Sequence, residues 1–83
     1  MFYTYILKST KNNRYYVGST KDIEERFACH NLGKVKSTKG LMPLELVYKE
    51  VFRTLSEARK REIYIKKQKS RKYIENLICR GVA

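Results

Sequence analysis

Two short aromatic segments near the start of the chain, separated by a polar turn, limit its possible folds more than any other feature. Residues 2–8 and 14–19 are rich in tyrosine and β-branched side chains, a composition typical of β-strands. So short a connection joins antiparallel strands in a hairpin. A four-residue loop, Ser9 to Asn12, would pair Tyr5 with Tyr16 on one face of the sheet, whereas a five-residue loop would place them on opposite faces.

A helix follows the hairpin. Asp22 and Glu25 form a capping box, which predicts a helix from Ile23 to about Leu32. Gly33 is expected to end this helix in the left-handed conformation. Residues 34–40 are basic and polar without an apolar period, so we expect a mobile loop there.

The second half of the chain adds one strand and two helices. Residues 44–52 alternate with period two, which predicts a third strand. Helical spacing continues from about residue 56, capped by Thr54 or Ser56, to about 69, and again from 71 to 79. The order ββαβαα has too few strands for a doubly wound fold and opens with an antiparallel hairpin. We therefore expect the α+β class, a small sheet covered by helices.

The charge of the chain points to a polyanionic partner. The 83 residues are enough for one small domain, residues 1–83, and carry 19 Lys and Arg against 8 Asp and Glu, a net charge of +11. Lys and Arg on such a surface bind DNA or RNA by releasing condensed counterions. A membrane surface is a weaker candidate because the chain has no Trp and no apolar stretch near the length of a span. The N-terminus lacks the basic region of a signal peptide, so we expect a cytoplasmic protein.

The two cysteines do not predict a disulfide framework or a zinc site. Cys29 and Cys79, together with the single histidine, His30, are too few for a tetrahedral metal centre. Two partly buried free thiols are expected instead.

A single carboxylate stands out within a basic segment. Between Arg59 and Lys72 there are eight basic residues and one acidic residue, Glu62. Glu62 can be read as a solvated carboxylate that pairs with Lys66 one helical turn away. It also continues the helical stripe of apolar residues, and a carboxylate on that side of a basic helix could hold a divalent cation against a phosphate. The residues alone leave both interpretations open.

Several tyrosine, glycine, arginine and glutamate positions resemble a known enzyme family. The segments Tyr3-Thr4-Tyr5 and Tyr16-Val17-Gly18, followed by Arg26 and Glu62, are similar to the motifs of the GIY-YIG nuclease superfamily, although Tyr3 stands where the family name has glycine. The resemblance covers nearly the whole chain and is strongest to small stand-alone members that consist of this domain. It implies a three-stranded antiparallel sheet flanked by helices, in agreement with the order ββαβαα.

The resemblance implies roles for individual residues. Tyr5 and Tyr16 match the motif tyrosines that position or activate the attacking water. Gly18 matches the glycine that lets the backbone turn beside the site, and Arg26 matches the arginine that stabilises charge on the phosphate. His30 falls at a supporting position, although by itself it would be read as a surface or half-buried imidazole.

The resemblance also implies a metal site. Glu62 matches the glutamate that holds one divalent cation, so Mg²⁺ is the expected cofactor and Mn²⁺ a substitute. Asn76 is the candidate for a later family asparagine. Ser19 stands where some members have a lysine, so Lys21 or a loop lysine would have to replace it. Either a metal-bound hydroxide or a tyrosine hydroxyl could be the base, and the sequence does not choose between them.

The expected function is metal-dependent endonuclease activity on DNA, with weak sequence specificity, selectivity for DNA structure, and a role in repair or recombination. Exposed cations would hold backbone phosphates without reading bases. The predicted set is Lys21, Lys34, Lys36, Lys39, Arg59, Lys66, Lys67 and Lys69. The alternative is a catalytically silent module that binds DNA or RNA. A monomer or weak homodimer is expected, with a partner protein for targeting and with neither a membrane nor a small-molecule cofactor.

Overall fold

Within residues 1–81, which the computed structural model describes, a three-stranded antiparallel sheet is flanked by three α-helices. The elements in chain order are β1 (Phe2–Ser9), β2 (Tyr15–Thr20), α1 (Ile23–Asn31), a short 3₁₀ helix (Lys39–Leu41), β3 (Leu44–Phe52), α2 (Leu55–Lys67) and α3 (Arg71–Gly81). The strand order is β2-β1-β3, and both strand pairs are antiparallel. The predicted fold class and element order are confirmed.

The central strand, β1, is buried on both faces of the sheet. On one face Tyr5 packs in a cluster with Ile23 of α1. On the other face Ile6 packs with Ile65 of α2. Because these two helices lie on opposite faces and β2 is an outer strand, the free edge of β2 lies between them.

The register of the hairpin differs from the predicted one by two residues. Tyr5 pairs with Gly18 rather than with Tyr16. The turn is four residues long, as expected, but it begins after Ser9, whose hydroxyl accepts hydrogen bonds from two backbone N–H groups of the turn. Asn13 closes the turn with a positive φ of 60°, which asparagine tolerates. A shift of two residues preserves the face, so Tyr5 and Tyr16 still project from the same side.

The predicted first helix is largely confirmed. Asp22 caps α1 by accepting a hydrogen bond from the Glu25 N–H at 3.0 Å, and Gly33 beyond the helix has the expected left-handed φ of 75°. Only half of the capping box forms, because the Asp22 N–H donates to the Thr20 hydroxyl instead of to Glu25. The helix ends at Asn31, one residue before the predicted end.

A hydrogen bond to β1 fixes the orientation of α2. Thr54 caps the helix, and the buried Thr4 hydroxyl donates to the Ala58 carbonyl oxygen at 2.7 Å. Glu62 lies one turn after Ala58, so this bond also determines which side of α2 faces β2. The helix stops two residues before the predicted Lys69, whose left-handed φ of 47° breaks the helical path. The last helix, α3, runs two residues past its predicted end.

The loop predicted to be mobile is fixed at several points. Thr38 is fully buried, and its hydroxyl forms a 2.7 Å hydrogen bond with His30 Nδ1. The short 3₁₀ helix begins at the next residue. Asn31, at the end of α1, bonds both backbone groups of Leu44: its side-chain N–H donates to the carbonyl oxygen at 3.0 Å, and its side-chain oxygen accepts from the N–H at 2.9 Å.

Two other sequence expectations concern the cysteines and membranes. Cys29 and Cys79 are both free, as predicted, but Cys79 is exposed rather than partly buried. No helix within residues 1–81 combines the length and the apolar composition needed to span a bilayer.

The Asn31 bridge yields a stability prediction. Asn31→Ala leaves the Leu44 N–H and carbonyl oxygen without their partners, and we expect the free energy of unfolding to fall by about 1–3 kcal/mol. Urea denaturation followed by circular dichroism measures this change. Glu24→Gln, at an exposed position on the same helix, is the control and should stay within about 0.5 kcal/mol of the wild type. Equal stability of the two variants would contradict the bridging role.

Candidate active site

A cleft at the free edge of β2 brings together side chains from both faces of the sheet. Its volume is about 330 Å³. Tyr5 from β1, Tyr16 from β2, Arg26 from α1 and Glu62 from α2 all line it, as the sequence predicts. The other lining residues are Gly18, Ser19, Arg59 and Ile63.

Gly18 makes room for the Tyr5 ring. The sequence predicts a backbone turn at Gly18, but this residue lies inside β2 and its φ is not left-handed, so that expectation is corrected. Gly18 faces Tyr5 across the two strands, and a Cβ atom here would lie 2.5 Å from the Tyr5 hydroxyl oxygen and 2.7 Å from Cζ. The glycine is required for space rather than for backbone conformation.

Tyr5, His30 and Thr38 form a buried hydrogen-bond chain. The Tyr5 hydroxyl lies 3.0 Å from His30 Nε2, and His30 Nδ1 lies 2.7 Å from the Thr38 hydroxyl. The Thr38 hydroxyl donates to the Val35 carbonyl oxygen at 3.4 Å, so it accepts from Nδ1–H, and Nε2 accepts the Tyr5 proton. His30 is fully buried, not the surface or half-buried imidazole of the simpler interpretation.

The electrostatic surroundings keep both groups of this chain neutral. Burial, and then the positive charge of Arg26, lower the pKa of His30 from its usual 6.5. Burial raises the pKa of Tyr5 from its usual 10.0, and the neighbouring Arg26 guanidinium opposes part of that rise. At neutral pH the Tyr5 hydroxyl therefore keeps its proton and directs it at an unprotonated imidazole nitrogen.

The second motif tyrosine lies against the same pair. The Tyr16 ring centroid is 5.1 Å from that of His30 and 6.4 Å from that of Tyr5. The Lys66 ammonium lies 5.9 Å from the centroid of the Tyr16 ring. Tyr16 thus connects the buried hydrogen-bond chain with the basic helix α2.

Glu62 is held at both carboxylate oxygens. The Ser19 hydroxyl donates to Oε1 at 2.6 Å, and the Lys66 ammonium donates to Oε2 at 2.7 Å. The Glu62 side chain is 19% exposed, and the Lys66 side chain 51%. Both sequence interpretations of Glu62 are therefore present together, because it pairs with Lys66 and also faces the tyrosine cleft.

Ser19 is a lining residue that the sequence reasoning did not assign to the site. The sequence instead predicts that Lys21 or a loop lysine replaces the lysine of some family members. Of these, Lys21 lines separate depressions beside Asp22 and Glu25. The sequence carries no direct signal for this role, which depends on the pairing of Ser19 with Thr4, the residue that bonds α2.

The remaining predicted residues lie around the cleft or away from it. All eight predicted DNA-contacting cations are exposed, and of these Arg59 lines the cleft itself. Asn76 is exposed on α3 and is not part of the described cleft lining, so its assignment to the site is not supported. Arg26 and Arg59 approach from α1 and α2 respectively, which places a guanidinium on each side of the cleft.

The donor set of the cleft suits one hard divalent cation. Mg²⁺ takes oxygen ligands, commonly one or two carboxylates, and keeps several water molecules. Glu62 supplies carboxylate oxygens at an open cleft, and one of them, Oε2, already binds a cationic group, the Lys66 ammonium. No group of three or more His, Cys, Asp or Glu side chains within residues 1–81 could hold an ion, so a fully protein-ligated metal does not fit this part of the chain.

The fold and this cleft correspond to a known family. Residues 1–74 match the family model described as the GIY-YIG catalytic domain, and the chain belongs to the GIY-YIG family. It is 47% identical to the UPF0213 protein SH2523 of Staphylococcus haemolyticus over 88% of this chain and 93% of that relative. It is 43% identical to the UPF0213 protein YazA of Bacillus subtilis, over 86% of this chain and 75% of that relative.

A solved structure supports the same assignment. The solution NMR structure of the UPF0213 protein BH0048 from Bacillus halodurans aligns with a TM-score of 0.58 and 35% sequence identity. The alignment covers 99% of this chain and 88% of that chain. The resemblance to the GIY-YIG superfamily and to its small members is confirmed.

The contact at Gly18 can be tested by a single methyl group. Gly18→Ala forces the buried Tyr5 ring to move, and we expect a loss of about 1–3 kcal/mol in the free energy of unfolding, as for other overpacked cores. Gly40→Ala is the matched control because a Cβ there meets no atom within 4 Å. Urea denaturation compares the two variants, and a Gly18→Ala protein as stable as the Gly40→Ala protein would refute the spatial role.

The buried imidazole makes stability depend on pH. Because the pKa of His30 is lowered in the folded state, the unfolded chain binds the proton more readily below pH 6.5. The free energy of unfolding should therefore fall as the pH drops from 6.5 toward the folded-state pKa. His30 is the only histidine, so its imidazole NMR signal can be followed directly. We expect a titration midpoint below 6.5, and a midpoint at or above that value would contradict the proposed neutral acceptor.

Proposed function

We propose that the protein is a metal-dependent endonuclease that hydrolyses DNA phosphodiester bonds with weak sequence specificity, using Mg²⁺ or Mn²⁺. The observation that carries this proposal is the convergence of Tyr5, Tyr16, Arg26 and Glu62 on one cleft of a chain with a net charge of +11. Membership of the GIY-YIG family supports it. The charge suits a polyanionic substrate, and the cleft groups suit attack on a phosphate.

In this proposal the two arginines and a cation held by Glu62 stabilise charge at the phosphate. Glu62 would hold the cation, which supplies positive charge to the phosphate oxygens and to the leaving oxygen. Arg26 binds a non-bridging phosphate oxygen from the α1 side, and Arg59 approaches from the α2 side. Guanidinium groups are well suited to this task because they stay protonated and donate in a planar fork. Ser19 keeps the Glu62 carboxylate oriented toward the cleft.

Tyr5 and His30 act as the base in this scheme. As the water oxygen bonds to phosphorus, one water proton passes to the Tyr5 hydroxyl oxygen and the original Tyr5 proton passes to His30 Nε2. The P–O bond opposite the attacking water breaks, and the leaving oxygen takes a proton from solvent. This route lets a tyrosine act near neutral pH without a stable phenolate, because the proton has an acceptor 3.0 Å away.

A second function is favoured by one specific contact. The Lys66 ammonium bonds the Glu62 carboxylate at 2.7 Å and partly neutralises it, as expected in a catalytically silent module that binds DNA or RNA through its exposed cations. Ion pairs that are open to solvent contribute about 0–1 kcal/mol. The Lys66 side chain is 51% exposed although Glu62 is only 19% exposed, so a cation that replaces the ammonium at Glu62, or a phosphate that binds it, can displace Lys66. The pair is therefore compatible with both functions, and nicking activity separates them.

The broader context of the activity stays a prediction. The proposal includes phosphate contacts by the eight exposed cations named above, and a role in DNA repair or recombination. It also includes a cytoplasmic location and a monomeric or weakly dimeric state, with a partner protein for targeting. The chemistry of the cleft would be the same in each of these settings.

Glu62→Gln tests the proposed function. The change keeps the size of the side chain but weakens its hold on a cation, and we expect nicking of supercoiled plasmid with Mg²⁺ or Mn²⁺ to fall on the order of 10²–10³-fold. Binding of DNA in EDTA should be unchanged or tighter, because an anion leaves the phosphate path. Glu45→Gln, at an exposed position on β3, is the control and should retain full activity. A wild-type protein that never nicks any form of DNA with either metal would exclude the endonuclease and leave the binding module.

A further inference from the structure

We infer that a groove beside the cleft binds an unpaired segment of a DNA strand, and that DNA with a single-stranded flap is the preferred substrate class. This inference rests on the proposed function and adds a second site to it. The side groove, as we call it, has a volume of about 530 Å³ and includes Arg14, Tyr15, Tyr16, Lys66, Lys69 and Arg71 in its lining.

The side groove is continuous with the catalytic cleft. Tyr16 lines both of them. Lys66 lines the side groove, and its ammonium bonds Glu62 in the cleft at 2.7 Å. A strand whose phosphate lies near Glu62 can therefore extend past Tyr16 into the side groove without leaving the surface.

The rim of the side groove is cationic. Arg14, Lys66, Lys69 and Arg71 contribute four positive charges, and no acidic residue is among the described lining residues. Arg71 pairs with Glu75 at 3.1 Å, but both side chains are about half exposed, so a phosphate can compete for the guanidinium. Lys69 lies in the break between α2 and α3 with a left-handed φ of 47°, a conformation uncommon for lysine. The rim thus suits the backbone of a polyanion.

The floor of the side groove is apolar, and this feature selects an unpaired strand over a duplex. Leu41, Ile65 and Ile74 contribute to the lining. A duplex presents mainly phosphates and sugars to a protein surface and keeps the faces of its bases stacked inside, so it covers an apolar floor less well than an unpaired base, whose face is free. The groove has the size of a pocket for one small ligand, in the range of roughly 300–1,000 Å³. An unpaired nucleotide or two can enter it, whereas a duplex cannot.

Arg71 provides the platform on which a base can stack. Its guanidinium carbon lies 4.9 Å from the centroid of the Tyr15 ring, and its Nη1 donates to the Asn13 carbonyl oxygen at 2.7 Å. The Lys8 ammonium lies 5.9 Å from the centroid of the same ring. The Arg71 side chain is 51% exposed, so a base can reach its guanidinium more readily than the Tyr15 ring that carries two cations. Unpaired bases stack on arginine planes as well as on aromatic rings. We therefore expect the loss of Arg71 to weaken the binding of an unpaired strand more than the loss of any other residue of the side groove.

The test compares two DNA probes in EDTA, where no cleavage occurs. One probe is a blunt duplex, and the other is the same duplex with a short single-stranded DNA flap. By fluorescence anisotropy we expect the wild-type chain to bind the flapped probe roughly tenfold more tightly, the gain expected when about one base stacks on the protein. Arg71→Gln and Arg14→Gln should each reduce this ratio toward one.

Lys72→Gln is the matched control. Lys72 is an exposed cation next to Arg71 on α3 and is not in the described lining of the side groove. Its loss should weaken the binding of both probes equally and leave the ratio of their affinities unchanged. Equal binding of the two probes by the wild type would overturn the inference, as would the same ratio in Arg71→Gln and Lys72→Gln. Tighter binding of a flap made of RNA would overturn the assignment to DNA.

The outcomes for the side groove and for the proposed function are distinguishable. Flap preference in EDTA together with an absence of nicking would reject the endonuclease and retain the side groove. Nicking of plasmid together with equal binding of blunt and flapped probes would retain the endonuclease and reject the side groove.

Discussion

The close approach of the Tyr5 ring to the Gly18 backbone is the contact on which the cleft depends. A Cβ at this position would lie 2.5 Å from the Tyr5 hydroxyl oxygen, so the ring can cross β2 only where no side chain exists. Crossing β2 brings the hydroxyl to His30 inside the protein and the ring beside Tyr16. One missing side chain therefore determines where both tyrosines and the imidazole meet, at an edge of the sheet that helices can approach from both faces.

The position of Glu62 is the second constraint on the cleft, because a single carboxylate must keep its orientation and its charge among many neighbouring cations. Ser19 and Lys66 each bond one of its oxygens, but the two partners differ in kind. The serine hydroxyl is uncharged and lies on β2, so it orients the carboxylate without neutralising its charge. The lysine side chain is half exposed and also lines the neighbouring groove, so a phosphate can compete with Glu62 for its ammonium. Ser19 thus orients the Glu62 carboxylate, and Lys66 balances its charge.

Local patterns in the sequence predicted the fold, while contacts between distant segments were harder to foresee. The bounds of β3 agree with the prediction because alternation and the preceding proline are local signals. The hairpin register was wrong by two residues because the Ser9 side chain bonds within the turn, a contact that composition does not encode. In the site, the resemblance identified the tyrosines, but the burial of His30 depends on Thr38 from a loop without periodicity, and Ser19 acquires its role only when α2 lies over β2.

The high charge of the chain links its stability to its binding. A net charge of +11 on 83 residues produces self-repulsion that opposes a folded state with only a small core and no disulfide in the described residues. A polyanion along the cleft and the side groove would neutralise several of these cations at once. Any ligand that binds the folded state but not the unfolded chain stabilises the fold in proportion to the logarithm of its concentration. The positive surface that costs stability in the free protein therefore becomes a source of stability once phosphates occupy it.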